Sequence, residues 1–231
     1  MDLPIFFLDN YSASDILTLN EDTSRHIVQV LRMKPLEKLQ LTDGAGNLLT
    51  AEVMDGHKKK CTVRVVSREA IPKKKQQVSV GIALLKNTNR LEWFLEKATE
   101  IGVTEIIPLL SDRIEKQHFR YDRMQQILIS AMMQSKQVWL PVLHEPTPFG
   151  KVIETSTYTT KLIGHCEELP KASVTDFRKN LSVQILIGPE GDFTAEEISL
   201  ALNSDFKAVT LGDTRLRTET AGVVAATILC I

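Results

Sequence analysis

The spacing of apolar residues changes once along this 231-residue chain, close to residue 70. Before that point, apolar and polar residues alternate in three segments, which is typical of strands with one buried face. These segments are KLQLTD (38–43), LLTAEVM (48–54) and CTVRVV (61–66). Pro4–Leu8 predicts a further short strand and Glu21–Leu31 a short helix. Because glycine-containing turns separate the strands, we expect a small β-barrel or a curled sheet.

The second part of the chain alternates strands and helices. After the proline- and lysine-containing segment Arg68–Gln77, the strands are continuous apolar runs, which is typical of strands covered on both faces. Strands are expected at 78–85, 104–110, 160–165, 182–188 and 207–212, and helices at 89–103, 122–135, from 194 onward and at 218–231. This alternation predicts an α/β domain with a mostly parallel sheet. We therefore place two domains, at residues 1–70 and 71–231.

Composition narrows the class of protein. The 28 basic and 29 acidic residues leave a net charge of −1. The total charge therefore does not indicate RNA binding, and only a basic face balanced by acidic residues elsewhere would do so. Three widely separated cysteines indicate a reduced, cytoplasmic protein. The N-terminal segment does not match a signal peptide, and no run approaches the roughly 18 apolar residues of a membrane span. The five histidines lack metal-site spacing, so we expect neither a metal nor a membrane partner.

Three of the predicted strands end in glycine. They read LIG at Gly164, LIG at Gly188 and LG at Gly212, which suggests neighbouring strands that deliver three loops to one place. Ligands of open α/β sheets bind beyond the carboxyl ends of the strands, and glycine allows the backbone to approach them closely. Gly164 alone is better explained by a tight turn without a ligand. The loop RLRTET (215–220) favours a binding function, because a purely structural turn does not need two arginines and an acid.

The common phosphate- and nucleotide-binding motifs are absent from the sequence. We find no P-loop, no G-x-G-x-x-G after a strand and no G-x-S-x-G nucleophile elbow. The glycine-rich loops therefore suit a nucleoside-like ligand that is held by backbone amides and carbonyls.

Four longer segments carry a resemblance to a known family. LIGPEG (186–191), followed by LG and LRTETA between 211 and 221, resembles the SPOUT-class ribosomal RNA uridine methyltransferases of the RsmE family. Residues 25–47 resemble the PUA-like N-terminal module of that family, and residues 90–113 the start of its catalytic domain. The resemblance covers nearly the whole chain. It implies a trefoil-knot catalytic domain that uses S-adenosylmethionine to methylate ring nitrogen 3 of one uridine in small-subunit (16S) ribosomal RNA.

The resemblance also assigns the site. The expected cofactor-binding residues are Gly164, Ile187, Gly188, Pro189, Glu190, Gly191, Leu211, Gly212, Leu216, Thr220 and Ala221. The uridine nitrogen must lose a proton whose pKa is roughly two units above neutral, at a cost of about 3 kcal/mol. Arg217 is the expected catalytic cation for the resulting anion. Glu219 either orients Arg217, acts as a general base, or is an acid placed to favour a helix N-terminus.

The expected RNA contacts lie mainly in the small domain. Arg25, His26, Arg32 and Lys34 would bind phosphates of ribosomal RNA or of the small ribosomal subunit. Gln134 and Ser135 are what remains of a Glu-Gln-Ser-Gly-Arg segment of the family, which reads Met133–Gln137 here. Lysine runs at 58–60 and 73–75 would add to this surface, but such runs in turns and linkers are usually only solvated, and for 73–75 the two explanations are equal. A further departure from the family is Asp192, which stands where a second glycine is usual.

The closing helix predicts an oligomer. Residues 218–231 are apolar on nearly every side, so this helix must be buried although it is the last element of the chain. We expect a homodimer that covers it, and the alternative is packing against 89–102 within its own domain. Two other functions stay open: methylation of a different RNA site, and a non-catalytic RNA-binding role for the same fold.

Overall fold

The computed structural model describes residues 3–9, 11, 13–114 and 119–231, and their contacts form two units. The first unit extends to Lys73 and also includes Met132–Leu140. The second unit comprises Lys74–Ala131 and Pro141–Ile231. The division at Lys73 lies close to the boundary expected after residue 70. The domain expected at 71–231 is continuous and includes Met132–Leu140, whereas in the structure these residues belong to the first unit.

The first unit is built on a five-stranded sheet. Its strands are β1 (Ile5–Phe7), β2 (Ile16–Thr18), β3 (Lys38–Thr42), β4 (Asn47–Asp55) and β5 (Thr62–Ala70). They are ordered β1-β3-β4-β5-β2, with β1 parallel to β3 and the other pairs antiparallel. The apolar residues of each alternating segment form one core on the inner face, where Leu39, Leu41 and Val63 are fully buried.

A short helix and a tryptophan complete this unit. Helix α1 (Glu21–Arg25) begins at Asn20, whose side chain accepts the Thr23 N–H, and continues into a π-helical turn at His26–Val30. In the segment 132–140, the Trp139 indole N–H donates to the Ile71 carbonyl at 2.9 Å. The Leu140 N–H donates to the Gly44 carbonyl at 2.8 Å. These contacts attach the segment to the turn between β3 and β4.

The second unit is an α/β layer structure. Its strands are β6 (Gln77–Ala83), β7 (Glu105–Leu110), β8 (Val142–Leu143), β9 (Thr147–Pro148), β10 (Thr160–Gly164), β11 (Ala172–Ser173), β12 (Ser182–Ile187) and β13 (Lys207–Thr210). Its helices are α2 (Thr88–Ile101), α3 (Tyr121–Gln134, whose last residues belong to the first unit), α4 (Phe149–Thr155), α5 (Ala195–Asn203) and α6 (Thr218–Cys230). The strand order is β11-β13-β10-β12-β6-β7-β8, with β9 beside β7, and each of these pairs is parallel. The predicted α/β class with a mostly parallel sheet is confirmed, while the knotted path of the chain stays a prediction.

Helices cover both faces of this sheet. On one face, α4 and α5 bury Phe149, Phe193 and Ile198 against Ile107 and Leu186. Side chains of successive strand residues alternate between faces, so Ile82 points to the opposite side from Gly81, the register partner of Leu186. There α6 packs closely on α2: a methyl group at Gly222 would lie 2.6 Å from Phe94 Cε2 and 3.1 Å from Ile82 Cδ1.

The strand order positions the candidate site. Strands β13, β10 and β12 are direct neighbours, so the three loops that follow them leave the same edge of the sheet. The prediction of three neighbouring strands with glycine exits is therefore confirmed.

Candidate functional site

A cavity of about 560 Å³ opens at the carboxyl ends of β13, β10 and β12. Most of the expected cofactor-binding residues line it: Gly164, Ile187, Gly188, Pro189, Glu190, Leu211, Gly212, Leu216 and Ala221. As far as the described residues form the lining, it includes neither Gly191 nor Thr220. The volume is within the range of ordinary small-molecule sites.

The three strand exits approach one another closely. A methyl group at Gly164 would lie 3.6 Å from Ile187 Cδ1 and 3.9 Å from Leu211 Cδ1. At Gly188 it would meet both the ring and the backbone nitrogen of Phe193 at 3.1 Å, so a side chain there would press on the following turn. Gly212 has a φ of 147°, which side chains rarely adopt, and a methyl group there would point into open space.

Asp192 joins two of these exits. It has a φ of 65°, a left-handed conformation that aspartate tolerates better than most residues, which explains how it occupies a position where the family usually has glycine. Its Oδ2 accepts the Cys166 N–H at 2.7 Å, and its Oδ1 accepts the Phe193 N–H at 2.8 Å. The carboxylate thus links the loop after β10 to the loop after β12.

Two further side chains hold the loop after β12. A capping box is present at the start of α5, where Thr194 and Glu197 exchange side-chain and backbone hydrogen bonds. The buried Glu197 carboxylate also accepts the Asp112 N–H at 3.0 Å. Arg113 donates to the Gly191 carbonyl at 2.7 Å and to the Phe193 carbonyl at 3.3 Å. No local pattern in the sequence indicates this role for Arg113, because the loop that follows β7 becomes relevant only through the order of the strands in the sheet.

The two expected catalytic residues, Arg217 and Glu219, have different surroundings in the structure. Arg217 is exposed, lines the cavity and provides the backbone N-cap of α6. Glu219 is buried, and its Oε1 lies 3.6 Å from Nε of Arg90 on α2. Its Oε2 has no hydrogen-bond partner among the described residues. Arg90, which sequence reasoning did not single out, is therefore the observed ionic partner of Glu219.

Residues that sequence reasoning did not assign to the site also line the cavity. Among them are His165 and Cys166, which follow β10, and Lys171. Burial, reinforced by Lys171, lowers the pKa of His165, while Asp192 and Glu167 act in the opposite direction. The sequence contains one signal for His165, which is its position directly after the strand-ending Gly164.

The expected RNA-contacting residues all belong to the first unit. Arg25, His26, Arg32 and Lys34 are exposed along α1 and the turn that follows it. Arg25 also pairs with Glu21 at 2.9 Å, so this arginine would have to exchange a carboxylate for a phosphate.

Gln134 and Ser135 end α3 and begin the segment that packs on the first unit. Gln134 is exposed, whereas Ser135 is half-buried and donates to the Met132 carbonyl at 3.2 Å. The side chain of Gln137 donates to the Ser135 hydroxyl at 2.9 Å.

The lining fits S-adenosylmethionine in its chemistry. Backbone groups at glycine exits are available to an adenine, and Gly212 leaves space where a side chain would intrude. In the part of the chain that the structure describes, no three histidine, cysteine or acidic residues form a metal-binding cluster. No helix within the described ranges is long and apolar enough to span a membrane.

Two family models match the chain. One, described as an RNA methyltransferase domain, matches residues 72–230, and one described as an RNA methyltransferase PUA domain matches residues 19–66. A ribosomal RNA small subunit methyltransferase E of Synechocystis sp. is 31% identical over 218 residues, covering 90% of this chain and 71% of that protein. The protein of that name from Rickettsia conorii is 28% identical over 226 residues, covering 96% of this chain and 92% of that protein.

Solved structures are similar over almost the whole length. A probable rRNA-methyltransferase from Porphyromonas gingivalis has a TM-score of 0.92 at 37% identity, covering 99% of this chain and 98% of that one. A putative methyltransferase from Legionella pneumophila in complex with SAM has a TM-score of 0.88 at 27% identity, covering 99% and 97%. A ribosomal RNA small subunit methyltransferase E from Neisseria gonorrhoeae bound to S-adenosyl methionine has a TM-score of 0.85 at 29% identity, covering 97% and 95%.

Proposed function

Because the chain belongs to the RNA methyltransferase family that includes ribosomal RNA small subunit methyltransferase E, we propose that it methylates ribosomal RNA with S-adenosylmethionine as the methyl donor. The cavity at the glycine exits of β10, β12 and β13 carries this proposal. Relatives of the same fold from Legionella pneumophila and Neisseria gonorrhoeae were crystallised with this cofactor. The more specific target is ring nitrogen 3 of a uridine in small-subunit RNA.

The cofactor supplies an electrophilic methyl group, and the protein has to position and activate the nucleophile. Arg217 meets the requirement for a cation, since it lines the cavity and its side chain is exposed. Placed beside the uracil ring, its charge would stabilise the anion that forms as nitrogen 3 loses its proton. The cost to be offset is about 3 kcal/mol, which one preorganised ionic contact can supply.

Glu219 has a different role in this proposal. Its carboxylate is buried beside Arg90, which favours a positioning role at the start of α6 over direct proton transfer. The pair Arg90–Glu219 would hold the first turn of α6, from which Arg217 and Thr218 reach the cavity. Glu219 thereby orients Arg217 through the helix and not by a direct ion pair.

A methylation assay tests the proposed function. Small ribosomal subunits from a strain that lacks the gene are incubated with protein and labelled S-adenosylmethionine, and the RNA is digested and analysed by mass spectrometry. We expect 3-methyluridine at one position with the parent protein and almost none with Arg217→Ala. Methyl transfer to another nucleotide would identify a different RNA site. Failure of the parent protein to bind S-adenosylmethionine in calorimetry would instead indicate a non-catalytic RNA-binding protein and refute the proposal.

We also propose that the active form is a homodimer that covers α6. Within its own unit, α6 buries Gly222, Ala225 and Leu229 but leaves Val224 and Ile228 half-exposed. These two apolar side chains lie one helical turn apart on the same face. Because a two-fold axis lets one patch serve both partners, a second copy is the simplest cover for this face.

Sedimentation at micromolar concentration tests the dimer. Ile228→Glu should produce monomers and lower methylation, because it introduces a charge into the proposed apolar contact. Leu181→Glu is the matched control, since Leu181 is an exposed leucine in the loop before β12. A monomeric parent protein that methylates RNA at full rate would disprove the dimer without affecting the proposed reaction.

A further inference from the structure

His165 is a buried polar residue in the wall of the cavity that the proposed reaction does not yet use. It directly follows Gly164 at the exit of β10 and is 8% exposed. Both ring nitrogens are covered, and neither has a hydrogen-bond partner among the described residues. Among the described residues that line the cavity, no other has a buried polar side-chain atom without a hydrogen-bond partner.

The chemistry of this imidazole favours an uncharged partner. Burial and the nearby Lys171 lower the pKa of His165, against the smaller effects of Asp192 and Glu167, and this direction favours the neutral form of the ring. A neutral imidazole has one N–H donor and one nitrogen acceptor. Leaving such groups unpaired in a protein interior costs about 1–3 kcal/mol. A ligand that satisfies one of them recovers part of this cost when it binds.

The backbone on both sides of His165 is held in place. The next residue, Cys166, donates its N–H to Asp192 at 2.7 Å, and the other oxygen of Asp192 accepts the Phe193 N–H. His165 therefore directly precedes a link between the loops that follow β10 and β12. Contact with a ligand requires one nitrogen to turn toward the cavity, by rotation about the Cβ–Cγ bond, a torsion with broad minima.

We propose that His165 is a further cofactor-binding residue, whose imidazole hydrogen-bonds an uncharged group of the adenosine half of S-adenosylmethionine. This inference rests on the proposed function. The methionine half carries an ammonium and a carboxylate, for which a buried neutral ring is a poor partner. Ribose hydroxyls and adenine ring nitrogens, in contrast, match one neutral donor and one neutral acceptor. Gly164, Ile187 and Leu211 line the cavity close to one another at the strand ends. Their backbone groups suit the adenosine half of the cofactor.

The competing explanation is that His165 only fills space. Phenylalanine distinguishes the two, because it keeps an aromatic ring of similar size and removes both nitrogens. Under our proposal, His165→Phe weakens S-adenosylmethionine binding about fivefold to tenfold, as expected for one lost hydrogen bond. His165→Asn, which keeps a donor and an acceptor, should bind more tightly than His165→Phe. Without cofactor, the melting temperature of His165→Phe should equal or exceed that of the parent, since an unpaired polar group has been removed.

Calorimetric titrations provide the test. Parent protein, His165→Phe, His165→Asn and the control His57→Phe, an exposed histidine of the first unit, are each titrated with S-adenosylmethionine and with 5′-methylthioadenosine. The latter has the adenosine half and lacks the amino-acid half. We expect His165→Phe to lose affinity for both ligands by a similar factor, and His57→Phe to bind like the parent.

Three results would overturn the inference. They are equal binding by His165→Phe and the parent, equal losses for His165→Phe and His165→Asn, and a loss for S-adenosylmethionine alone. None of them affects the proposed function, which is tested separately by the methylation assay and by binding of S-adenosylmethionine to the parent protein.

Discussion

Replacement of Glu197 tests whether the loop after β12 is held by a buried carboxylate. Its Oε2 accepts the Thr194 N–H at 2.9 Å, and its Oε1 accepts the Asp112 N–H at 3.0 Å. Hydrogen bonds to a charged group contribute about 1.5–3 kcal/mol each, so the two together amount to about 3–6 kcal/mol. Alanine has a better helix propensity than glutamate, which offsets a few tenths of a kcal/mol of this loss. We therefore expect Glu197→Ala to lower the free energy of unfolding by about 3–5 kcal/mol.

Two variants separate this effect from the general role of an acid at a helix N-terminus. Glu196 is exposed in the same turn of α5, so Glu196→Ala should cost about 0.3–1 kcal/mol through the helix dipole alone. Glu197→Gln keeps one acceptor oxygen and loses the charge, so its cost should lie between those of the two alanine variants. The expected order of destabilisation is therefore Glu197→Ala, Glu197→Gln, Glu196→Ala.

The chain offers a probe specific to the second unit. Trp93 lies on α2 in that unit, while Trp139, the other of the two tryptophans, belongs to the first. In a Trp139→Phe background, urea unfolding followed by tryptophan fluorescence reports on the second unit, and circular dichroism serves as an independent probe. If Glu197→Ala is destabilised no more than Glu196→Ala, the two hydrogen bonds do not hold this loop and the reasoning is refuted.

Three further variants address binding and turnover. Gly212→Val should weaken S-adenosylmethionine binding at least tenfold in calorimetry with little loss of secondary structure, because φ at this residue is 147° and the side chain would enter the cavity. Arg217→Ala should lower kcat far more than cofactor affinity, and equal losses would move Arg217 into the cofactor site. Neutralising Arg25, Arg32 and Lys34 together should weaken ribosomal RNA binding and flatten its dependence on salt, whereas an unchanged slope would exclude them as phosphate contacts.

The sequence was sufficient to predict the second unit in outline because most of its longer strands are nearly continuous apolar runs. Strand β6 is buried along nearly its whole length, and helix α2 ends at Gly102 in the left-handed conformation expected of a C-cap. The three glycine exits could be placed together from pattern alone, since parallel strands share one carboxyl edge. Strands β8, β9 and β11 were missed, because two-residue strands show no periodicity.

Long-range contacts account for most of what sequence reasoning missed. Residues 132–140 continue a helix of the second unit, and no local pattern indicates that Trp139 bonds the Ile71 carbonyl. The ion pair of Arg90 with Glu219 is equally invisible, since it joins helices that are distant in sequence. The family resemblance supplied the residues of the cavity but not these partners, which depend on side-chain geometry.

The side chains around the loop after β12 explain why so few of them need to touch the cofactor. Arg113 donates to two carbonyls of this loop. Asp192 accepts one N–H of the same loop and one of the loop after β10, and Glu197 accepts the N–H of Thr194 at the end of the loop. These contacts fix the backbone before any ligand arrives, so less conformational entropy is lost on binding. Glycine provides access for the ligand but would leave the loop mobile if it acted alone. The site therefore combines backbone groups at the strand exits with charged residues that fix the loop, and substitutions at Arg113 and Glu197 should weaken cofactor binding without any direct contact to the cofactor.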